Sequence, residues 1–187
     1  MFIQTEATPN PETLKFLPGK TVMDRGVIDY RAGDDASASP LAVRLFAVDG
    51  VTGVFLGFDF ISVSKGAIPW EHLKPAVLGA IMEHYLSGDP VIVDADAAPA
   101  EAEGEEFEEK DAATVAMIKE ILDERVRPAV AGDGGDIVFR SYRDGVVLLS
   151  MRGACAGCPS STMTLQMGIQ NLLKHFIPEV QEVRQAA

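Results

Sequence analysis

One stretch governs what this chain can build. From Asp94 to Glu106 no side chain is both apolar and larger than alanine or proline, and carboxylates crowd the run. Such a segment has little to bury against the entropy of ordering it, and its like charges favour extension. No single hydrophobic core passes through it. The 187 residues therefore read as two small α+β domains, 1–93 and 112–187, joined by an acidic flexible linker over 94–111. Glu108 to Asp111 at its end suit the acidic first turn of a following helix. The charge distribution agrees: 11 acidic and 7 basic side chains before the linker, 9 and 1 within it, 8 and 8 after it. Most of the net charge of -12 thus belongs to the linker and says little about a ligand.

The acidic balance argues against nucleic acid, whose phosphates call for a basic face that releases counterions. No run of ~18 apolar residues is present, so no membrane-spanning helix is expected. Met1-Phe2-Ile3-Gln4-Thr5-Glu6 lacks the basic and then apolar regions of a secretory leader, from which a cytoplasmic protein is expected.

Before the linker, strands are expected at Phe2 to Thr5, Thr13 to Phe16, Val51 to Leu56 and Phe60 to Ser64, with Gly57-Phe58-Asp59 turning between the last two. Helices are expected from Leu41 to Val48, behind Ser39-Pro40 as cap and first-turn proline, and from Trp70 to Leu86, ending at Ser87-Gly88. Leu73, Val77, Ile81 and Tyr85 form the second helix's core stripe. After the linker the order is helix, hairpin, loop, helix. Val115, Ile118, Leu122 and Val126 mark a helix that should stop at Pro128. Asp144-Gly145 turns between strands at Ile137 to Tyr142 and Val146 to Met151. Leu165, Ile169, Leu172, Leu173 and Phe176 mark a last helix ending at Pro178, and a short strand is expected at Val180 to Val183.

His72, His84 and His175 sit singly, with no second ligand at a chelating spacing, and read as surface or helix-end residues. There is no Walker loop or dinucleotide fingerprint. Gly132-Asp133-Gly134-Gly135-Asp136 precedes a strand where a phosphate loop would follow one, so it reads as a tight turn needing positive φ, not as a ligand set.

The chain's two cysteines, Cys155 and Cys158, form one C-x-x-C. Two intervening residues bring both sulfurs to one side of a loop, where they can bind one metal centre or close a disulfide. Cys158-Pro159-Ser160-Ser161 opens a helix, whose unpaired amides and dipole should favour thiolate, with Arg152 adding charge balance and Gly153 and Gly157 close backbone approach. A structural zinc or an iron-sulfur cluster takes four ligands and this chain supplies two, so a two-fold dimer would complete the set. A site shared in that way breaks when the subunits part, which suits storage and hand-over. The same pair permits a dithiol-disulfide oxidoreductase, although its proline follows the second cysteine instead of lying between the two. A zinc-stabilised interaction module is the third option.

Arg127-Pro128-Ala129-Val130, Asp133-Gly134-Gly135-Asp136-Ile137, Gly153 to Ser161 and Ile177-Pro178-Glu179-Val180 stand in an order and spacing that closely resemble the cluster-binding domain of the Nfu (NifU-like) iron-sulfur cluster carriers. Met1 to Pro11, Thr13-Leu14-Lys15-Phe16, Phe58-Asp59-Phe60-Ile61 and Trp70 to Pro75 resemble that family's N-terminal domain, which here has no cysteine. The resemblance implies a carrier or late scaffold that holds a 4Fe-4S cluster, with 2Fe-2S the lesser option, between the Cys155 and Cys158 pairs of a homodimer. It would receive the cluster from upstream donors and pass it to apo iron-sulfur enzymes of the aconitase-like and lipoyl-synthase-like kind. The N-terminal domain would then recognise partners. No general acid, activated nucleophile or substrate pocket is evident, so no catalytic residue is named and no conventional enzyme is expected.

Overall fold

The buried apolar side chains gather into two separate cores, one for each of two compact units, Met1–Ala100 and Glu101–Ala187. The computed structural model describes residues 1–93, 104–157 and 159–186. Both units are mixed α+β.

In the first unit the strands are β1 (Gln4–Ala7), β2 (Thr13–Leu17), β3 (Ile28–Arg31), β4 (Val51–Leu56) and β5 (Ile61–Lys65), and the helices are α1 (Pro40–Phe46) and α2 (Trp70–Ser87). The sheet runs β1-β2-β5-β4-β3 and every pairing is antiparallel. Phe16, Val54, Val63, Leu41, Leu45, Leu73, Val77 and Ile81 fill the space between sheet and helices. Ser39 caps α1 by accepting from the Ala42 amide at 3.1 Å while its hydroxyl donates to the Val91 carbonyl at 2.7 Å. It satisfies an otherwise orphaned helix amide and ties the segment after α2 to the start of α1.

Two expectations fail here. β3 was not anticipated, because four residues between glycine- and aspartate-rich turns give too short a pattern. The core stripe of α2 does not end on Tyr85, which is only partly buried: His84, a helix-end residue in the last turn, is fully buried in its place. A helix at 3.6 residues per turn drifts away from a strict four-residue repeat, so the stripe goes Leu73, Val77, Ile81, His84.

The second unit comprises β6 (Glu106–Phe107), α3 (Ala112–Ile121), α4 (Arg127–Gly132), β7 (Gly135–Arg143), β8 (Val146–Gly153), α5 (Pro159–Phe176) and β9 (Glu182–Gln185). Its sheet order is β6-β7-β8-β9, with β6 parallel to β7, β7 antiparallel to β8 and β8 parallel to β9. Asp144 at φ 49 and Gly145 at φ 81 make the central hairpin turn. Positive φ at both central residues matches the right-handed twist of the strands.

The linker expected over 94–111 is shorter than that at its end: β6 and a 3-10 turn at Glu109–Asp111 lie within it, and Lys119 Nζ bonds Glu105 Oε1 at 2.6 Å. Residues 94–103 lie outside the described ones. The acidic composition hid β6, whose ladder partners, Ser141 and Tyr142, are remote in sequence.

Nor does the chain stop being helical at Pro128. A π-helical segment, Leu122–Val126, joins α3 to α4, and the Arg127 amide donates to the Leu122 carbonyl five residues back. Pro128 then falls in the first turn of α4, where its missing N–H is tolerated. Among the described residues no helix is long and apolar enough to cross a membrane.

Candidate functional site

The antiparallel ladder of β7 and β8 places the start of one strand against the end of the other, pairing Gly135 with Gly153 and Asp136 with Arg152. The Ala154 amide donates to the Gly134 carbonyl at 3.1 Å, and the Ala156 amide to the Gly153 carbonyl at 3.1 Å. Gly134 at φ 81, Gly153 at φ 63 and Gly157 at φ 85 take the left-handed turns required at the two ends of this crossing. The loop after β8 therefore folds back over the start of β7. Thr162 on α5 donates its hydroxyl to the Cys155 carbonyl at 3.0 Å, tying the helix to the loop.

Cys155 is a free thiol, 7% exposed, at the edge of the unit's core. Its sulfur lies over the α-carbon of Gly135 so closely that a methyl there would stand 2.7 Å from Sγ and 2.5 Å from the Arg152 carbonyl oxygen. Gly135 thus acts by having no side chain. Two successive glycines, of which only Gly134 needs positive φ, were the available signal for this close approach.

The electrostatics run against the expectation of a ready thiolate. Burial pushes the Cys155 thiol up to about 12, and the Asp133 and Asp136 carboxylates add to that rise. Desolvation penalises the anion, and nearby negative charge penalises it again. The helix dipole and Arg152, weighed from sequence, do not set the balance at this sulfur. Of these two carboxylates Arg127 meets Asp136 from α4: its Nε lies 3.7 Å from Asp136 Oδ1, 3.2 Å from Asp123 Oδ1 and 3.3 Å from the Ile137 carbonyl.

Of the two expected ligands, Cys155 is placed as described and Cys158 lies outside the described residues. Among the described residues no group of three or more His, Cys, Asp or Glu side chains could hold a metal ion.

Comparison with known proteins adds the relationship. The family model described as "Scaffold protein Nfu/NifU N terminal" matches residues 3–88, and the one described as "NifU-like domain" matches residues 118–184, which include both cysteines. The chain is 53% identical over 99% of its length to the NFU1 iron-sulfur cluster scaffold homolog, mitochondrial, of Drosophila sechellia, covering 65% of that protein. It is 47% identical over 99% of its length to NifU-like protein 5, mitochondrial, of Arabidopsis thaliana, covering 68% of it. The chain thus spans about two thirds of the length of these relatives. A solved NifU-like protein from Saccharomyces cerevisiae aligns with 50% of this chain and 86% of its own at 26% identity and a TM-score of 0.46.

These names overturn the expected cytoplasmic placement, since relatives about half identical across the chain are mitochondrial proteins. The composition of Met1 to Glu6 bears only on a secretory leader. A mitochondrial address is a different signal, amphipathic and arginine-rich, about which the lack of a secretory leader says nothing.

Proposed function

The chain belongs to the Nfu/NifU iron-sulfur cluster scaffold family, and from that premise we propose that it binds a 4Fe-4S cluster between the Cys155 and Cys158 pairs of two copies and hands it to apo iron-sulfur proteins. One observation carries the reading: the chain's two cysteines stand two residues apart in the segment matched by the NifU-like domain, and Cys155 sits on a loop that a glycine-lined strand crossing holds in place. Two thiolates are half the set that a cluster takes, so a second copy supplies the rest. With half of its ligands on each subunit, separation of the subunits would break the two iron–thiolate bonds to one of them, and the recipient's thiolates would replace those two and then the two that remain. Proteins of the aconitase-like and lipoyl-synthase-like kind, implied by the family resemblance, are the proposed recipients.

The buried Cys155 suits a cluster ligand, and in the dithiol oxidoreductase it would be the resolving thiol, with the attack left to Cys158. A thiol that attacks disulfides must present an accessible thiolate near neutral pH. A cluster iron can instead displace the proton as it binds, at the cost of making affinity depend on pH. The reading assigns the chain no substrate turnover. The first unit, which has no cysteine, is proposed to recognise partners. A fragment beginning at residue 104 that activates every recipient as fast as the whole chain would remove that role.

The test of the main reading is anaerobic reconstitution with iron and sulfide, then iron, sulfide and zinc analysis and a mass measurement on one sample. About four irons and four sulfides per dimer are expected, with both lost in Cys155→Ser and in Cys158→Ser. A colourless monomer without metal would overturn it, and tightly held zinc would move the reading to an interaction module.

A further inference from the structure

The buried stripe of α5 is ordinary: Ile169 and Leu173 are buried, with Leu165 and Leu172 packed partly against the core. Its other face is not. Met163, Thr164, Met167, Gly168 and Asn171 recur at helical spacing on the exposed side, and Met163 and Met167 are 65% and 58% exposed. From Gly153 to Leu173 the sequence has no charged residue, in a chain where charged residues make up 24%. A solvent-facing helix surface ordinarily carries Lys and Glu. Gly168 adds an independent sign. A β-carbon there would meet nothing within 4 Å, so no contact inside the unit requires glycine, yet glycine inside a helix costs about 1 kcal/mol relative to alanine.

We propose that this face of α5, centred on Met163, Met167 and Gly168, packs against the same face of a second copy. The inference rests on the shared-cluster reading and names the surface that brings the two cysteine loops together. A second copy is the occupant that the charge pattern selects. On a two-fold interface a residue near the axis meets itself, so a charge there meets its like. A face built for a different protein could carry charge complementary to it. An uncharged face is one where two copies meet without setting like charges against each other, and flexible thioethers pack well together. Gly168 would then let the helices come close. Met163 and Met167 follow Pro159, the first residue of α5, by four and eight positions, or about 6 and 12 Å of helix, so the face adjoins the cysteine loop. Five residues a side fall far short of the ~20–30 of a standard interface. The contact orients two copies for cluster binding and does not hold them tightly without it.

The experiment compares the reconstituted whole chain with Met167→Glu, Met167→Lys, an equimolar mixture of those two, and Gly168→Ala. Sedimentation over a range of concentrations gives the dissociation of the loaded dimer, and iron is counted on the same samples. Each charged variant should raise the dissociation constant about tenfold or more, and the mixture should return to within about threefold of the parent because opposite charges now meet. Gly168→Ala should raise the thermal midpoint of the metal-free chain's second unit by about 4–8 °C, from helix propensity, while weakening the loaded dimer. A purely structural role would give the first change without the second. Parent-like dissociation in both charged variants, or no recovery in the mixture, would overturn the proposal. Cys155→Ser run alongside separates the two layers: if it keeps the parent's iron the cluster reading falls and takes this inference with it. If it loses the iron while the charged variants dimerise as the parent does, only this inference falls.

Discussion

Replacing Gly135 with alanine adds one methyl where the fold has no room for it. The new carbon would lie 2.5 Å from the Arg152 carbonyl oxygen, 2.7 Å from Cys155 Sγ and 3.1 Å from the Cys155 amide nitrogen. Two of those three atoms are backbone, so the strain cannot be relieved by turning a side chain. The start of β7 must part from the end of β8. Overpacking of this kind costs about 1–3 kcal/mol. The Ala154 amide bond to the Gly134 carbonyl, at 3.1 Å, lies one step along the same crossing, and its loss would add about 0.5–1.5 kcal/mol. The total is therefore about 1.5–4.5 kcal/mol, confined to the second unit. The chain's single tryptophan, Trp70 on α2, allows the two units to be followed apart: urea unfolding read by its fluorescence reports the first unit, and far-UV circular dichroism reports both. With m at ~1.5 kcal/mol/M, the transition seen only by dichroism should fall by about 1–3 M while the fluorescence transition stays put. The displaced Cys155 should react faster with an aromatic disulfide reagent. Gly132→Ala, where a β-carbon would meet nothing within 4 Å, is the control and should change little. A shift under about 0.3 M in Gly135→Ala, with thiol reactivity unchanged, would refute the close-approach argument.

Other expectations follow from single groups. Burial and the nearby Arg44 guanidinium hold His84 below the ordinary imidazole value, against a smaller opposing effect of Asp89. Below pH ~6.5 the unfolded chain takes up a proton that the folded chain refuses, so stability falls with falling pH, by up to ~1.4 kcal/mol per unit until the folded value is reached. The fluorescence-detected urea midpoint should show that acid limb between pH 7 and 5, and His84→Leu should flatten it. Ser39→Ala, which removes the cap of α1 and the bond to Val91, should lower the same transition by about 1–2 kcal/mol. Gly145→Ala would set a methyl 2.8 Å from the Glu179 carbonyl oxygen at a residue with φ 81, and should cost the second unit about 1–3 kcal/mol by dichroism.

Where the chain signals structure locally, the sequence is legible. Asp144-Gly145 between two alternating runs defined the hairpin because the residues that permit positive φ are few. The apolar spacing of α2 and α5 identified their buried faces, apart from His84, which sits where a 3.6-residue period puts it, and Phe176, which lies exposed at the end of α5. Illegible features are those decided by a distant partner. Glu106 and Phe107 are strand because Ser141 and Tyr142 pair with them, and nothing in an acidic run announces that. Pro128 looked like a stop because the π turn ahead of it, which absorbs the missing amide, has no local signature. The site divides along the same line. Cys155 could be singled out by residue type and spacing, whereas its protonation could not. The helix after the loop is a sequence neighbour and was weighed, but the carboxylates of Asp133 and Asp136 reach the sulfur only through the β7 and β8 crossing.

The position of β6 changes what counts as the second unit, and this can be tested. A fragment cut at residue 112, where composition ends the linker, would remove β6, the Glu109–Asp111 turn and the Glu105 partner of Lys119. It would leave β7 as an open edge, with backbone donors and acceptors available to another chain. The exposed ion pair contributes at most ~1 kcal/mol and the short parallel ladder a further ~1–2 kcal/mol, for a total of about 1–3 kcal/mol. A fragment from residue 104 should therefore unfold at higher urea than one from residue 112 by about 1 M or more, and should stay monomeric at concentrations where the shorter one associates through its open edge. Equal midpoints and equal masses would mean that β6 adds nothing to the sheet. In that case the whole acidic run could act as a tether for the first unit. If the difference appears, only the residues before Gly104 are left to span the two units, and shortening that part should slow cluster delivery without changing cluster binding.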